Sequence, residues 1–165
     1  MKDSIKKPVL AAVFCAMTLA VTLLRIPLPA SGGYIHIGDA VIYLCASFLP
    51  LPFAMASAAL GGLLSDILAG AAIWVPATVL LKAAIPLFFT SREKKILCRQ
   101  NVLALVFAGL VTVIGYYLAE VVLFGNWTVP LLSVPGNLAQ AVCSALAFLG
   151  VGASLDRLKA KEYLK

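Results

Sequence analysis

The chain has 165 residues, 62% of them hydrophobic and 12% charged, with a mean hydropathy of +1.03 and a formal net charge of +6. A soluble domain is about half apolar and a quarter charged, and one of this size has no core large enough to hide so much apolar surface, so these residues face lipid. Disorder, a collagen-like repeat and a disulfide scaffold are excluded as well: charge is sparse, no short period repeats, and Cys15, Cys45, Cys98 and Cys143 are widely spaced packing residues.

In chain order, the first apolar run predicts a helix over about 8–25, uncharged from Pro8 to Leu24 and, at about 1.5 Å per residue, able to cross most of a core roughly 30 Å thick. It is read as retained rather than as a signal peptide, because no small-x-small cleavage site follows cleanly and Phe14 before Cys15 is too bulky for a lipoprotein site. Within the outer loop around 25–38, the segment Gly32 to Asp39 is glycine-rich at both ends with alternating bulky residues between, which reads as an extended segment or short hairpin. From Ala40 to Ser65 there is no charge, and Pro50 and Pro52 break that stretch into helices over about 39–49 and 53–70. The fourth helix covers about 75–89, entered through Trp74 and Pro76; the fifth covers about 102–124, and the sixth about 133–155.

Eleven of the thirteen Lys and Arg fall in three tracts: Lys2, Lys6 and Lys7; Arg92, Lys94, Lys95 and Arg99; Arg157, Lys159, Lys161 and Lys165. Such tracts mark the cytoplasmic side of a membrane rather than a nucleic-acid surface, so even numbers of spans must separate them. Four spans followed by two satisfy this. The expectation is an all-α integral membrane protein of the cell membrane: a multi-pass six-helix transmembrane bundle, one domain over residues 1–165, both termini cytoplasmic.

An ionisable group at the centre of an inserted helix costs about 2.5 kcal/mol or more, which makes Asp39, Asp66, Lys82 and Glu120 functional candidates. All three acids fall toward the outer ends of their helices. Lys82 lies deeper and calls for a carboxylate or a ligand anion. Helical spacing aligns Trp74, Thr78 and Lys82; Thr112, Tyr116 and Glu120; and Ser133, Asn137, Gln140 and Ser144. The hydroxyls read as interhelical hydrogen bonds, whereas Glu120, Asn137 and Gln140, gathered on one side, read as ligand contacts. His36, with no second ligand at metal spacing, reads as a loop or lid histidine. Asp39 either caps its helix or meets a ligand, and Tyr34, Trp74 and Trp127 are either ring-stacking residues or interface anchors. Ala12, Ala16 and Ala20 leave room for another helix, whether a partner's or one of the same bundle.

Neither a phosphate-cradling G-x-x-x-x-G-K-S/T segment nor HExxH nor Cys-x-x-Cys occurs, so no enzyme activity, cofactor or metal is expected. Six spans without a visible repeat also argue against a self-sufficient alternating-access carrier.

The six-span plan, the alanine ladder, and the outer Gly-Tyr-Ile-His-Ile-Gly-Asp segment running into Ala-Val-Ile-Tyr-Leu resemble the substrate-binding S components of energy-coupling factor (ECF) vitamin transporters. The stretch Gly61 to Gly70, followed by Trp74 and Pro76, is similar to the riboflavin-like branch. The resemblance covers nearly the whole chain. It implies capture of a small-molecule vitamin or heterocyclic precursor outside the cell, docking through Ala12, Ala16 and Ala20 to a membrane coupling (T) subunit, and two cytoplasmic ATPases as further partners; no nucleic acid is implied. It places the ligand among Tyr34, His36, Trp74, Lys82, Glu120, Asn137 and Gln140. Three acids, one lysine and aromatic residues above favour a planar ring bearing amino or ring-nitrogen donors, a pyrimidine or deazapurine precursor, with riboflavin, pyridoxine and pantothenate left open. The alternatives are a membrane scaffold or assembly protein, or a stand-alone facilitator.

Overall fold

The computed structural model describes residues 3–28 and 33–163; Lys2, Gly32 and Lys165 lie outside them. Seven α-helices occur among the described residues: α1 (Asp3–Leu23), α2 (Gly38–Phe48), α3 (Leu51–Leu68), α4 (Val75–Ala84), α5 (Arg99–Phe124), α6 (Val134–Arg157) and a single turn, α7 (Ala160–Tyr163). The strands β1 (Ile26–Leu28) and β2 (Gly33–Ile35) form an antiparallel hairpin between α1 and α2, with Pro27 opposite Tyr34.

Several boundaries differ from expectation for local reasons. α1 starts ahead of Pro8 and carries that proline inside it. α4 ends at Ala84 rather than about 89, and the chain continues as a 3-10 turn over Ile85–Phe88. Pro86, which has no N–H to continue the α-helical ladder, accounts for the change. α5 begins at Arg99, three residues before the apolar run, because a helix does not need apolar residues in its first turn.

Among the described residues, four helical segments are long and apolar enough to cross a membrane: Ile5–Leu23, Leu51–Leu68, Arg99–Phe124 and Val129–Arg157. Gly38–Phe48 and Ala72–Phe88 are shorter apolar helical segments. The eleven residues of α2 rise only about 16 Å, and those from Gly38 to Ser47 are all buried. α2 is therefore the central post of the bundle, packed by α1, α3 and α6, and its lack of charge after Asp39 reflects protein rather than lipid around it. α1 and α5 lie outside, with Val13, Met17, Val106 and Phe107 exposed. Small residues allow close helix approach: a Cβ at Gly61 would come within 2.8 Å of Thr18 on α1, and one at Gly62 within 2.8 Å of Thr78 and 3.1 Å of Lys82 on α4.

At the end of the bundle away from the hairpin, Tyr43, Phe89 and Phe148 pack ring to ring at 5.2 to 5.9 Å. The loop between the 3-10 turn and α5 is held there by three side chains. Asn101, fully buried, accepts from the Thr90 N–H at 2.7 Å and donates to Ser47 Oγ, Thr90 O and Ile96 O. Asp156 accepts from the Ile96 and Leu97 N–H groups, and Lys161 Nζ donates to the carbonyls of Ser91 and Glu93.

Candidate functional site

The hairpin end is built around Asp39, in the first turn of α2 and 0% exposed. Asp39 makes no capping bond; one carboxylate oxygen pairs with Lys82 Nζ from α4 at 2.5 Å, and the other accepts from Gln140 Nε2 of α6 at 3.2 Å. The capping role considered for Asp39 falls to His36, whose Nδ1 accepts from the Gly38 N–H at 3.2 Å and so satisfies one of the free donors at the start of α2. His36 is buried, and that burial pushes its pKa down to about 4 against the attraction of Asp39, so the imidazole is neutral at pH 7 with Nδ1 free to accept. It is a loop histidine that caps α2 at the base of the hairpin.

Lys82 is the expected buried cation, and its partner is Asp39 rather than Asp66. It also lies 5.5 Å from the centre of the Tyr116 ring, and the Tyr116 hydroxyl shares a 3.1 Å hydrogen bond with Thr78 Oγ1. The stripes of α4 and α5 thus face each other as their spacing indicates. Trp74 closes them above, its ring set edgewise to Tyr116 at 6.5 Å and Phe124 at 6.2 Å. Asp66 of α3 faces this group through Thr78 and the charge of Lys82.

The remaining expected residues do not all converge. Gln140 is buried and joins the cluster through Asp39. Asn137, one turn earlier on the same face of α6, has a buried Nδ2 with no partner. Glu120 is half-buried and sits beside Ser133, apart from Asp39. Tyr34 lies under the Arg25 guanidinium, 4.0 Å above its ring centre, and is 6.4 Å from His36. Trp127 is 66% exposed. Ala12, Ala16 and Ala20 are exposed along α1, while Thr18 and Thr22 of the same helix turn inward.

Several further buried polar atoms on these helices lack a partner among the described residues: Asp66 Oδ2 on α3, Thr112 Oγ1 on α5 and Ser144 Oγ on α6. Thr112 lies one turn from Tyr116 on α5, and Ser144 one turn from Gln140 on α6. Two features of the site were out of reach of periodicity. The Asp39 to Lys82 pairing crosses 43 residues of chain, and Arg25, a lone cation outside the three tracts, was the available signal for a charged residue above Tyr34.

Long apolar helices around a buried ion pair and a polar, partly unpartnered interior define an integral membrane protein with a hydrophilic core site. Residues 2–157 match the family described as ECF-type riboflavin transporter, S component, and the chain belongs to that family. Its members are substrate-binding transporter subunits rather than enzymes. A relative in Pyrococcus woesei, described as an uncharacterized protein in the gap 3' region, is 34% identical, with the match covering 67% of this chain and 74% of that one. Among solved structures, one reported as the structure and mechanism of the S component of a bacterial ECF transporter superposes with a TM-score of 0.71 over 93% of this chain and 96% of that chain. At 16% identity this match establishes the shared fold.

Proposed function

We propose that the chain is the capture subunit of an ECF-type importer, taking a vitamin or vitamin-like heterocyclic precursor from outside the cell into a site at the hairpin end of the bundle. The observation that carries this reading is the set of buried, unpartnered polar atoms around the Asp39 cluster: Asp66 Oδ2, Thr112 Oγ1, Asn137 Nδ2 and Ser144 Oγ. Each such atom costs about 1–3 kcal/mol when left without a partner, and a polar ligand offering donors and acceptors offsets that cost. Lys82 is neutralised by Asp39, and the cation left at this end is Arg25 above Tyr34, whose buried Nε and Nη2 atoms have no partner among the described residues. Asp66, with one oxygen open, suits an amino or ring N–H donor.

In this reading the chain is one domain of six spans with both termini in the cytoplasm, where all three basic tracts then lie. The short α2 counts as a span because the surrounding helices shield it, and α4 counts as one together with the 3-10 turn that prolongs it to Phe88. The exposed alanines Ala12, Ala16 and Ala20 form the surface that docks the coupling subunit, and two cytoplasmic ATPases supply the free energy. The internal pairing of Asp39 with Lys82 and Gln140 equally favours a second reading, a membrane scaffold with a polar core.

Native mass spectrometry of the purified chain distinguishes the two. A co-purifying small heterocycle, displaced by added vitamin or precursor, is the result expected of a capture subunit; a chain that takes up none of them over a panel including riboflavin is a scaffold. Ala16→Trp is expected to abolish uptake while leaving ligand binding to the isolated chain intact, and loss of binding with preserved partner assembly would contradict the docking role.

A further inference from the structure

A cleft of about 610 Å³ opens at the end of the bundle away from the hairpin, where the 3-10 turn meets the first turns of α5. Its wall is apolar: Phe88, Leu103 and Phe107, with the Phe88 and Phe107 rings stacked at 5.3 Å. Its rim carries Arg99 and Gln100. The loop just before α5 brings Arg92, Lys94 and Lys95 to the same end, against one carboxylate at the cleft, Glu93. Among the described residues none of these four cations is in an ion pair. Leu103 and Phe107 are 51% and 50% exposed on a helix long enough to cross a bilayer, so the apolar wall runs on into the lipid-facing flank of α5.

The cleft therefore has two chemistries in series, a cationic head and an apolar side open to hydrocarbon. We propose that it holds one anionic phospholipid, with the phosphate against Arg99 and an acyl chain along Leu103 and Phe107. The guanidinium fork matches phosphate oxygens, and its position at the start of a membrane-length helix sets it at headgroup depth. A free phosphate would leave the apolar wall unused, and a zwitterionic lipid brings its own ammonium group, which repels Arg99 and offsets the attraction of its phosphate. The volume falls within the roughly 300–1,000 Å³ of ordinary ligand sites. The proposal is independent of what the polar cluster binds, since the two sites lie at opposite ends of the bundle.

The test is native mass spectrometry of the full chain in neutral detergent, titrated separately with phosphatidylglycerol, phosphatidylcholine and glycerol phosphate. One phosphatidylglycerol should bind per chain, about tenfold more tightly than phosphatidylcholine, with glycerol phosphate weaker still. Arg99→Gln should lower phosphatidylglycerol affinity by about tenfold and Phe107→Ala by several-fold, while the double change Lys94→Gln and Lys95→Gln, outside the cleft wall, should change it by less than about twofold. Equal binding of the two lipids by the unaltered chain would overturn the proposal. So would glycerol phosphate binding as tightly as the lipid, which marks a free-anion site, or a loss in the double lysine variant as large as that in Arg99→Gln, which marks diffuse surface charge. Arg99 and Phe107 are both exposed, so neither substitution removes a core residue.

Discussion

The two ends of the bundle both bury polar side chains, and they treat them differently. Around the loop before α5, Asn101 uses both ends of its amide, Asp156 takes a backbone N–H on each oxygen, and Lys161 spans two carbonyls. At the hairpin end Asp39, Lys82 and Gln140 satisfy one another, yet Asp66 and Asn137 keep atoms without partners, as do Thr112 and Ser144 deeper along α5 and α6 and Tyr43 beside Phe148. A polar group saturated inside the protein contributes to a fixed shape. One left open is available to a ligand. The contrast separates side chains that hold the fold from side chains offered for recognition, although the two sets look alike as residue types.

The comparison makes predictions of graded size. The largest concerns Lys82: Lys82→Met leaves Asp39 as a lone buried charge and should destabilise the folded chain by about 3–5 kcal/mol, read by unfolding in detergent. Adding Asp39→Asn should restore a large part of that loss; a double variant as unstable as the single one would remove the ion pair from the hairpin end. Next comes Asn101→Ala, which strands two carbonyls and a backbone N–H and should cost about 3 kcal/mol while leaving ligand affinity in the surviving folded fraction unchanged. Reduced affinity there would blur the distinction between the two ends.

A third prediction is a pH dependence at His36. Burial lowers its folded-state pKa from 6.5 to about 4, so between those values the unfolded chain binds more protons than the folded one. The His36 contribution is therefore complete above about pH 6.5 and is lost as pH falls toward 4, where protonation turns the Nδ1 acceptor into a donor facing the Gly38 N–H. Melting curves from pH 7 to pH 4.5 should show this decline, and His36→Asn, which retains an acceptor without the titration, should flatten it. An unchanged slope would assign the acid sensitivity elsewhere. The smallest stability effects belong to Thr112→Val and Ser144→Ala, each expected to stabilise the ligand-free chain by about 1 kcal/mol because it removes a buried hydroxyl that has no partner. A loss of stability in either would mean that the hydroxyl is bonded within the fold.

Much of the helical plan was legible because the bilayer and the buried core both demand long apolar runs, and Pro50, Pro52 and Pro76 mark their breaks. The 3-10 turn after α4 was carried by Pro86 inside a run that otherwise reads as continuous. β1 could not be read, since three residues including Pro27 gain their strand character only by pairing with Gly33–Ile35. In the site, the stripes of α4 and α5 were legible from helical spacing, as the Thr78 to Tyr116 bond shows. Which acid answers Lys82 was not, because Asp39 and Asp66 are equally plausible along the chain and differ only in how α2 and α3 are packed. Asn101 was hidden for the opposite reason: it stands in the first turn of α5, just ahead of the apolar residues that announce the helix. Asp156 and Lys161 lie in a basic tail whose charges read as markers of membrane sidedness, while their hydrogen bonds are local fastenings.

The central claim is that the hairpin-end polar cluster is where the ligand binds. It is tested most directly by titrating the heterocycle identified on the purified chain against Asp66→Asn, with Asn101→Ala as the comparison. The account predicts that Asp66→Asn weakens binding about tenfold with little change in melting temperature, while Asn101→Ala lowers the melting temperature and leaves affinity intact. Full affinity in Asp66→Asn together with lost affinity in Asn101→Ala would contradict it and move the ligand to the other end of the bundle.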